Sequence, residues 1–124
     1  MPESGGIYVF DAFGTLFDVH SAARTHAARI GDAWPRLSEI WRNKQLEYSW
    51  IYAGLGAHMR FEDATRDALQ FALAVCGLDQ ALAAEILPSY RALDAYEEVA
   101  QVLPALKRDG ARLAILSNGD SDVL

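Results

Sequence analysis

Three features that many proteins have are scarce in this sequence, and each absence excludes a class of protein. Cys76 is the single cysteine of 124 residues, which excludes an intrachain disulfide and a thiolate-rich metal site. Basic residues number 11 against 17 acidic ones, the net charge is -6 and no basic run occurs, so we expect no nucleic-acid partner. No apolar run reaches membrane-spanning length and the N-terminus lacks a secretory pattern, so the sequence predicts a cytoplasmic protein without a membrane partner.

Two short apolar runs, residues 7–10 and 113–116, predict β-strands. Their residues alternate too little for a half-solvated strand, which is typical of a parallel strand that is covered on both faces. Each run is followed at once by polar turn residues. Because parallel strands need a crossover connection, the sequence predicts an α/β fold class.

The sequence between the strands is helical in pattern. Ser21 is expected to cap a first helix through residue 30, and Pro35 begins a long amphipathic helix that ends at Gly54 or Gly56. The apolar stripe of that long helix is Leu37, Ile40, Trp41, Tyr48, Ile51, Tyr52 and Leu55. Further helices are expected over residues 61–77, 79 to about 88 and 97–108. The last is the expected crossover, and residues 17–93 form a separate lobe of four helices.

Chemically useful side chains follow the two predicted strands. The run DAFGTLFD at 11–18 sets a carboxylate at the C-terminal end of the first strand, with a glycine turn and a hydroxyl behind it. Open α/β sheets keep their binding sites at this edge. An aspartate in this position is by itself more often a turn or capping residue.

Three motifs in order resemble those of the haloacid dehalogenase superfamily, and within it the (S)-2-haloacid dehalogenases. They are the run 11–18, the stretch IWRNKQLEY at 40–48 and AILSNG at 114–119. The resemblance spans essentially the whole chain. It implies the N-terminal part of a Rossmann-like core, over residues 1–16 and 94–124, with a helical cap subdomain inserted at 17–93.

The same resemblance implies an activity and the residues that perform it. Short (S)-2-haloalkanoic acids would be hydrolysed to (R)-2-hydroxy acids through an ester on Asp11, the nucleophile, which the Thr15 hydroxyl orients. Arg42 and Asn118 would hold the halide, and Ser117 would bind the substrate carboxylate. The chemistry is consistent, because a carboxylate can displace halide and a departing anion needs preorganised donors such as a guanidinium and an amide. The alternative for Arg42 is a solvated arginine on a helix flank.

Four further residues are implied to line the substrate. Ala12 and Phe13 would do so through backbone and ring, and Leu46 and Phe61 would form an apolar wall from the cap. Superfamily phosphatases carry a second aspartate at the position of Phe13, where it serves as acid/base and Mg²⁺ ligand, and an aromatic ring can do neither. A Mg²⁺-dependent phosphatase is therefore the less favoured alternative, and we expect no metal and no cofactor.

Other candidate residues carry less weight. The histidines show no metal-ligand spacing and are expected at helix ends or on the surface: His20, His26 and His58. The tryptophans are expected to pack the cap and to support a homodimer through it: Trp34, Trp41 and Trp50.

The resemblance also implies a lysine and, later, an asparagine and an aspartate beyond the last motif. The sequence contains only Lys44, around the helix from Arg42, and Lys107, at a helix end, and neither is a substitute. Repulsion between Asp11 and a substrate carboxylate at about 4 Å would cost about 4 kcal/mol, or roughly a thousandfold in rate. We therefore expect a fragment of a longer protein or a chain completed by another copy. The alternative function is a catalytically inactive fragment that binds or dimerises.

Overall fold

A computed structural model describes residues 5–56, 59–117 and 119 of the chain. The described residues form two compact units. The sheet unit contains residues 5–18 and 94–117, and the helical unit contains residues 19–56, 59–93 and 119. In chain order the elements are β1 (Ile7–Phe10), α1 (Ser21–Thr25), α2 (Ala27–Ile30), α3 (Trp34–Gly54), α4 (Phe61–Val75), α5 (Leu82–Ile86), a 3₁₀ helix (Leu87–Arg91), α6 (Val99–Arg108) and β2 (Arg112–Ile115).

The sheet unit confirms the predicted α/β class. Strands β1 and β2 are parallel, with Ile7 opposite Arg112 and Phe10 opposite Ile115. Helix α6 leads into β2 and ends before Gly110, whose φ of +87° favours glycine. The predicted crossover helix is therefore present, although it begins two residues later than expected, at Val99.

The prediction that both strands are covered on both faces is wrong for the described residues. Ile7 and Val9 on β1 and Ile115 on β2 are all at least half exposed. The reason is the width of the sheet, since two strands and one crossover helix cannot enclose a parallel sheet.

Backbone hydrogen bonds join the two chain segments at which the sheet unit is interrupted. The N–H of Asp18 donates to the carbonyl of Asp94 at 2.8 Å, and the N–H of Tyr96 donates to the carbonyl of Leu16 at 3.0 Å. Phe17 and Ala95 form an antiparallel bridge between them. The chain thus leaves and re-enters the sheet unit at neighbouring points.

Helices α3 and α4 pack together as the main pair of the helical unit. Leu37 and Trp41 on α3 and Leu69 and Leu73 on α4 are buried, and full burial of such side chains contributes about 1.5–3 kcal/mol each. Pro35 lies in the first turn of α3, where its missing N–H costs nothing, as the sequence predicts. None of the helices that the structure describes is both long and apolar enough to cross a membrane.

The predicted helix over residues 21–30 is wrong, because the chain forms two short helices that break at His26. Ser21 is the first residue of α1 rather than its cap, a position that His20 takes without a side-chain hydrogen bond. At the break the imidazole Nε2 of His26 is 2.7 Å from the hydroxyl of Ser89. The break thus coincides with a contact to a distant segment, and the described helical unit has five α-helices instead of the predicted four.

Two further expectations for the helical unit need correction. The helix predicted from residue 79 to about 88 is α5 followed by a 3₁₀ helix, because Pro88 lacks the N–H that an α-helix needs. The predicted apolar stripe of the long helix is buried only in its first half, since Ile51 is exposed and Leu55, also exposed, lies beyond the end of α3.

Candidate active site

A tight turn follows β1 and carries Asp11. The carbonyl of Ala12 accepts hydrogen bonds from three successive N–H groups, those of residues 15, 16 and 17, at 3.0 to 3.3 Å. Gly14 has a φ of +85°, which a residue with a Cβ rarely adopts. The turn therefore reverses the chain immediately beyond the strand and leaves the Asp11 side chain exposed.

Both oxygens of the Asp11 carboxylate are held by donors from this turn. The N–H of Ala12 donates to Oδ1 at 3.0 Å, and the hydroxyl of Thr15 donates to Oδ2 at 3.4 Å. Ala12 and Phe13, which follow Asp11 in the same turn, are buried. An exposed carboxylate with fixed orientation can act as a nucleophile or as a ligand for a cation.

Ser117 lies at the same edge of the sheet as Asp11. The N–H of Leu116 donates to the carbonyl of Phe10 at 2.9 Å, so the pairing of the two strands continues to the residue before Ser117. Parallel strands end at one edge, and Asp11 follows β1 there as Ser117 follows β2. Asn118, the other candidate in this motif, lies outside the described residues.

Arg42 lies on α3 in the helical unit and is half-buried. Its Nη1 donates to Oε1 of Gln45 at 2.8 Å. Arg42 and Gln45 line a small pocket together with Val19, Ser38, Trp41 and Tyr90. Arg42 is thus partly withdrawn from solvent and bonded to a side chain of its own helix, and its functional role stays a prediction.

Tyr90, in the 3₁₀ helix, is the titratable group most affected by this environment. Burial raises the pKa of Tyr90, and the nearby positive charge of Arg42 offsets part of that rise. Its ring lies 5.4 Å from that of Trp41. Tyr90 is thus a neutral phenol packed beside the guanidinium.

Leu46 and Phe61 complete the predicted set in the helical unit. Leu46 follows Arg42 by one turn of α3 and is half-buried, while Phe61 is the first residue of α4 and is buried. The candidates thus form two groups, each within one unit: Asp11, Ala12, Phe13, Thr15 and Ser117 in the sheet unit, and Arg42, Leu46 and Phe61 in the helical unit.

A model of the haloacid dehalogenase-like hydrolases matches residues 7–124, nearly the whole chain. The chain belongs to this family. It is 44% identical over 118 residues to (S)-2-haloacid dehalogenase 1 of Pseudomonas sp. (strain CBS-3), covering 94% of this chain and 52% of that protein. It is 42% identical over 126 residues to (S)-2-haloacid dehalogenase 4A of Burkholderia cepacia, covering 100% of this chain and 54% of that protein. The predicted resemblance is confirmed.

Solved structures agree with this assignment to the haloacid dehalogenase-like family. A dehalogenase crystal structure superposes with a TM-score of 0.91 at 39% identity, covering 99% of this chain and 55% of that one. The L-2-haloacid dehalogenase of Xanthobacter autotrophicus with chloropropionic acid covalently bound gives a TM-score of 0.82 at 38% identity, covering 95% and 48%. The chain spans about half the length of the curated relatives it matches.

The sequence did not predict a role for three polar residues that are linked to Arg42 by hydrogen bonds through the Gln45 amide: Gln45 itself, Thr65 and Tyr90. Gln45 lies one turn after Trp41 and two turns after Leu37, so it occupies the buried face of α3. A glutamine in a position where the helical period calls for an apolar residue is the signal that could have identified it.

The histidines that the structure describes lie at the ends of α1, as predicted. His20 Nδ1 is 2.6 Å from the hydroxyl of Ser38, and His26 makes the contact with Ser89 described above. His58 lies outside the described residues. Within residues 5–56, 59–117 and 119, no group of three or more His, Cys, Asp or Glu side chains could hold a metal ion.

Proposed function

We propose that the protein hydrolyses short (S)-2-haloalkanoic acids to (R)-2-hydroxy acids through a covalent ester on Asp11. The observation that carries this proposal is the exposed Asp11 carboxylate at the C-terminal end of β1, with one donor on each oxygen. The Ala12 N–H and the Thr15 hydroxyl fix its direction without covering it. A nucleophile held in this way needs little reorganisation to reach a substrate carbon.

The reaction would proceed in two steps. One oxygen of Asp11 attacks C2 of the haloacid from the side opposite the halogen, the carbon–halogen bond breaks, and halide leaves with its electron pair. Water then adds to the Asp11 ester carbonyl, and the bond between that carbonyl carbon and the alkyl oxygen breaks. The product keeps an aspartate oxygen as its hydroxyl, and attack from the back inverts the configuration at C2.

Binding roles follow from the two groups of residues. Ser117 would bind the substrate carboxylate by donating its hydroxyl proton, because this hydroxyl follows β2 at the edge where Asp11 follows β1. Arg42 and Asn118 would hold the halide, and Leu46 and Phe61 would supply the apolar wall. In this proposal the helical unit is the cap subdomain and the sheet unit is part of the core. The protein would act in the cytoplasm without a metal or a cofactor.

The relatives support the substrate class. Several of them, at 38–44% identity, carry the name (S)-2-haloacid dehalogenase, and one solved relative holds chloropropionic acid in covalent linkage. Phe13 argues against a Mg²⁺-dependent phosphatase, since its buried ring offers no oxygen ligand.

A single-turnover reaction in ¹⁸O-water tests the covalent route. The full-length protein, in excess over (S)-2-chloropropionate, is expected to release lactate without label, and the label is expected in Asp11. Mass spectrometry of product and of the Asp11 peptide measures both. Label in the lactate would contradict an ester on Asp11.

We also propose a homodimer through the helical unit. Trp50 and Ile51 in the last turns of α3 and Leu55 directly after it are exposed, and α4 exposes Phe71 and Val75. Large exposed apolar side chains on two packed helices are typical of an interface. Trp50→Lys together with Leu55→Lys is expected to convert the dimer to a monomer in light scattering, and a monomeric parent protein would contradict the proposal.

The alternative function is a 124-residue polypeptide that binds or dimerises without turnover. The exposed apolar side chains of α3 and α4, such as Trp50 and Phe71, would serve such binding. Halide release by the purified polypeptide would exclude it. Hydrolysis of p-nitrophenyl phosphate with added Mg²⁺ would instead support the phosphatase.

A further inference from the structure

A chain of buried polar groups lies behind Arg42 in the helical unit. Gln45 is completely buried, and its Oε1 accepts from Nη1 of Arg42 at 2.8 Å and from the hydroxyl of Tyr90 at 3.0 Å. Its Nε2 donates to the hydroxyl oxygen of Thr65 at 2.8 Å. The amide of Gln45 thus contacts three polar partners that come from three different elements.

The direction of the Gln45 amide is determined by Thr65. The Thr65 hydroxyl donates its one proton to the carbonyl oxygen of Phe61 at 2.8 Å, and a carbonyl oxygen cannot donate in return. Toward Gln45 the hydroxyl can therefore only accept, so the NH₂ group of Gln45 faces Thr65. The amide oxygen consequently faces Arg42 and Tyr90.

The position of Thr65 is itself fixed relative to α3. Nε1 of Trp41 donates to the Thr65 carbonyl at 2.9 Å, and Trp41 is buried one residue before Arg42. Trp41 and Gln45 on α3 thus both hydrogen-bond to Thr65 on α4, one to its carbonyl and the other to its hydroxyl. The amide oxygen of Gln45, which accepts from Arg42, is therefore held in place by a contact with α4 as well as by its own helix.

Packing alone does not call for a glutamine here. Leu37 and Trp41 fill the preceding turns of the same face, and an apolar residue at 45 would avoid desolvating an amide. A neutral oxygen also orients a guanidinium without cancelling its charge, whereas a carboxylate at the same place would pair with it. The full positive charge is what binding of a halide ion requires.

We infer that Gln45 is a positioning residue, because its amide oxygen orients the guanidinium of Arg42 for binding of the departing halide. This oxygen is itself oriented by Thr65 and also accepts from Tyr90. The inference rests on the proposed function, in which Arg42 binds that halide. Gln45 acts only through Arg42. Its loss therefore affects halide departure and halide affinity more than the binding of the substrate carboxylate.

The first test replaces Gln45 with methionine in the full-length protein, which keeps the volume and removes the polar atoms. With (S)-2-chloropropionate, kcat is expected to fall about ten- to a hundredfold and inhibition by bromide to weaken by about tenfold, the value of one hydrogen bond to a charged group. KM is expected to change by less than about threefold, since Ser117 is unaltered. Leu73→Val, a buried change elsewhere on α4, controls for lower stability and is expected to leave kcat and bromide inhibition unchanged.

A double-mutant cycle separates positioning from a structural role. If Gln45 acts through Arg42, adding Gln45→Met to Arg42→Met is expected to lower kcat by less than about threefold more. Additive losses would overturn the inference. The inference on Gln45 would also be overturned, with the proposed function left intact, by a normal kcat in Gln45→Met together with a large loss in Arg42→Met. A normal kcat in Arg42→Met would instead contradict the proposed role of Arg42 in halide binding.

A second pair of variants keeps the inference testable if Gln45→Met does not fold. Thr65→Val removes the acceptor that orients the Gln45 amide, and Thr65→Ser retains it. Bromide inhibition is expected to weaken by several-fold in the valine variant, on the order of one neutral hydrogen bond, and to be normal in the serine variant. Equal bromide inhibition in the two variants would overturn the inference.

Discussion

The hydroxyl of Thr15 and the carboxylate of Asp11 are joined by a hydrogen bond of 3.4 Å, four residues apart in the turn after β1. Its length is beyond the usual range for an O–H donor, whereas the Ala12 N–H holds the other carboxylate oxygen at 3.0 Å. The backbone donor therefore contributes more to the orientation of Asp11 than the Thr15 side chain does.

Substitution of Thr15 is accordingly expected to have a modest effect on rate. Thr15→Val is expected to lower kcat about three- to tenfold, the value of one weak hydrogen bond, and Thr15→Ser to retain the parent rate. Because Thr15 is exposed, the free energy of unfolding should change by less than about 0.5 kcal/mol in either variant. Steady-state kinetics and urea unfolding measure the two effects, and a hundredfold loss in the serine variant would contradict this view of the hydroxyl.

Asp11→Asn is expected to abolish halide release and leave the fold intact. The amide is a far weaker nucleophile, and Asp11 is exposed, so the change removes no buried contact. Circular dichroism and halide titration provide the two measurements. Halide release at more than about a hundredth of the parent rate would contradict the role of Asp11 as nucleophile.

Ser117→Ala is expected to weaken substrate binding more than it slows chemistry. The loss of one hydrogen bond to a carboxylate corresponds to an increase in KM of about ten- to a hundredfold. Ser49→Ala is a matched control, because the Ser49 hydroxyl bonds the Leu46 carbonyl within its own helix. An unchanged KM in Ser117→Ala would show that the substrate carboxylate binds elsewhere.

Trp41→Phe is expected to destabilise the helical unit by about 1–3 kcal/mol. The change removes the hydrogen bond from Nε1 to the Thr65 carbonyl and leaves space beside Tyr90 in a buried position. Trp50→Phe makes the same substitution where the side chain is 63% exposed within one protomer, and at protein concentrations low enough to keep the protein monomeric it should change stability by less than about 0.5 kcal/mol. Urea unfolding of both variants measures the difference, and equal midpoints would contradict the structure.

Tyr90 is expected to make the protein less stable in alkaline solution. Burial raises the pKa of Tyr90 in the folded state, so the unfolded chain loses this proton first as pH rises. The stabilisation is fully present below the unfolded pKa of about 10 and is lost as pH rises from there through the folded pKa. The free energy of unfolding, measured between about pH 8 and 11, should fall less steeply in Tyr90→Phe than in the parent, and identical slopes would refute the prediction.

The sequence predicts elements well where local chemistry decides them. Pro35 and the helical period that follows it identify α3, and Glu62 and Asp63 in the first turn mark the beginning of α4. The strand ends that carry Asp11 and Ser117 were likewise predicted, because an apolar run followed by polar turn residues is a local signal.

Long-range contacts decide what the sequence could not predict. The break between α1 and α2 coincides with a contact between His26 and Ser89, far apart in the chain. The same holds for Gln45, whose role depends on Thr65 and Tyr90 from other elements. A pattern of residue types within one helix contains no information about such partners.

The hydrogen bonds that join Leu16 and Asp18 to Tyr96 and Asp94 have a consequence for how the protein can be rebuilt. The segment Val19–Leu93 starts and ends beside this antiparallel contact, so it is a single long insertion in the sheet unit. Because the ends of the insertion are adjacent, one insertion can be exchanged for another without moving either strand. Genetic recombination between relatives can therefore join a new helical unit to the same Asp11-bearing turn, with two junctions and no change in the sheet.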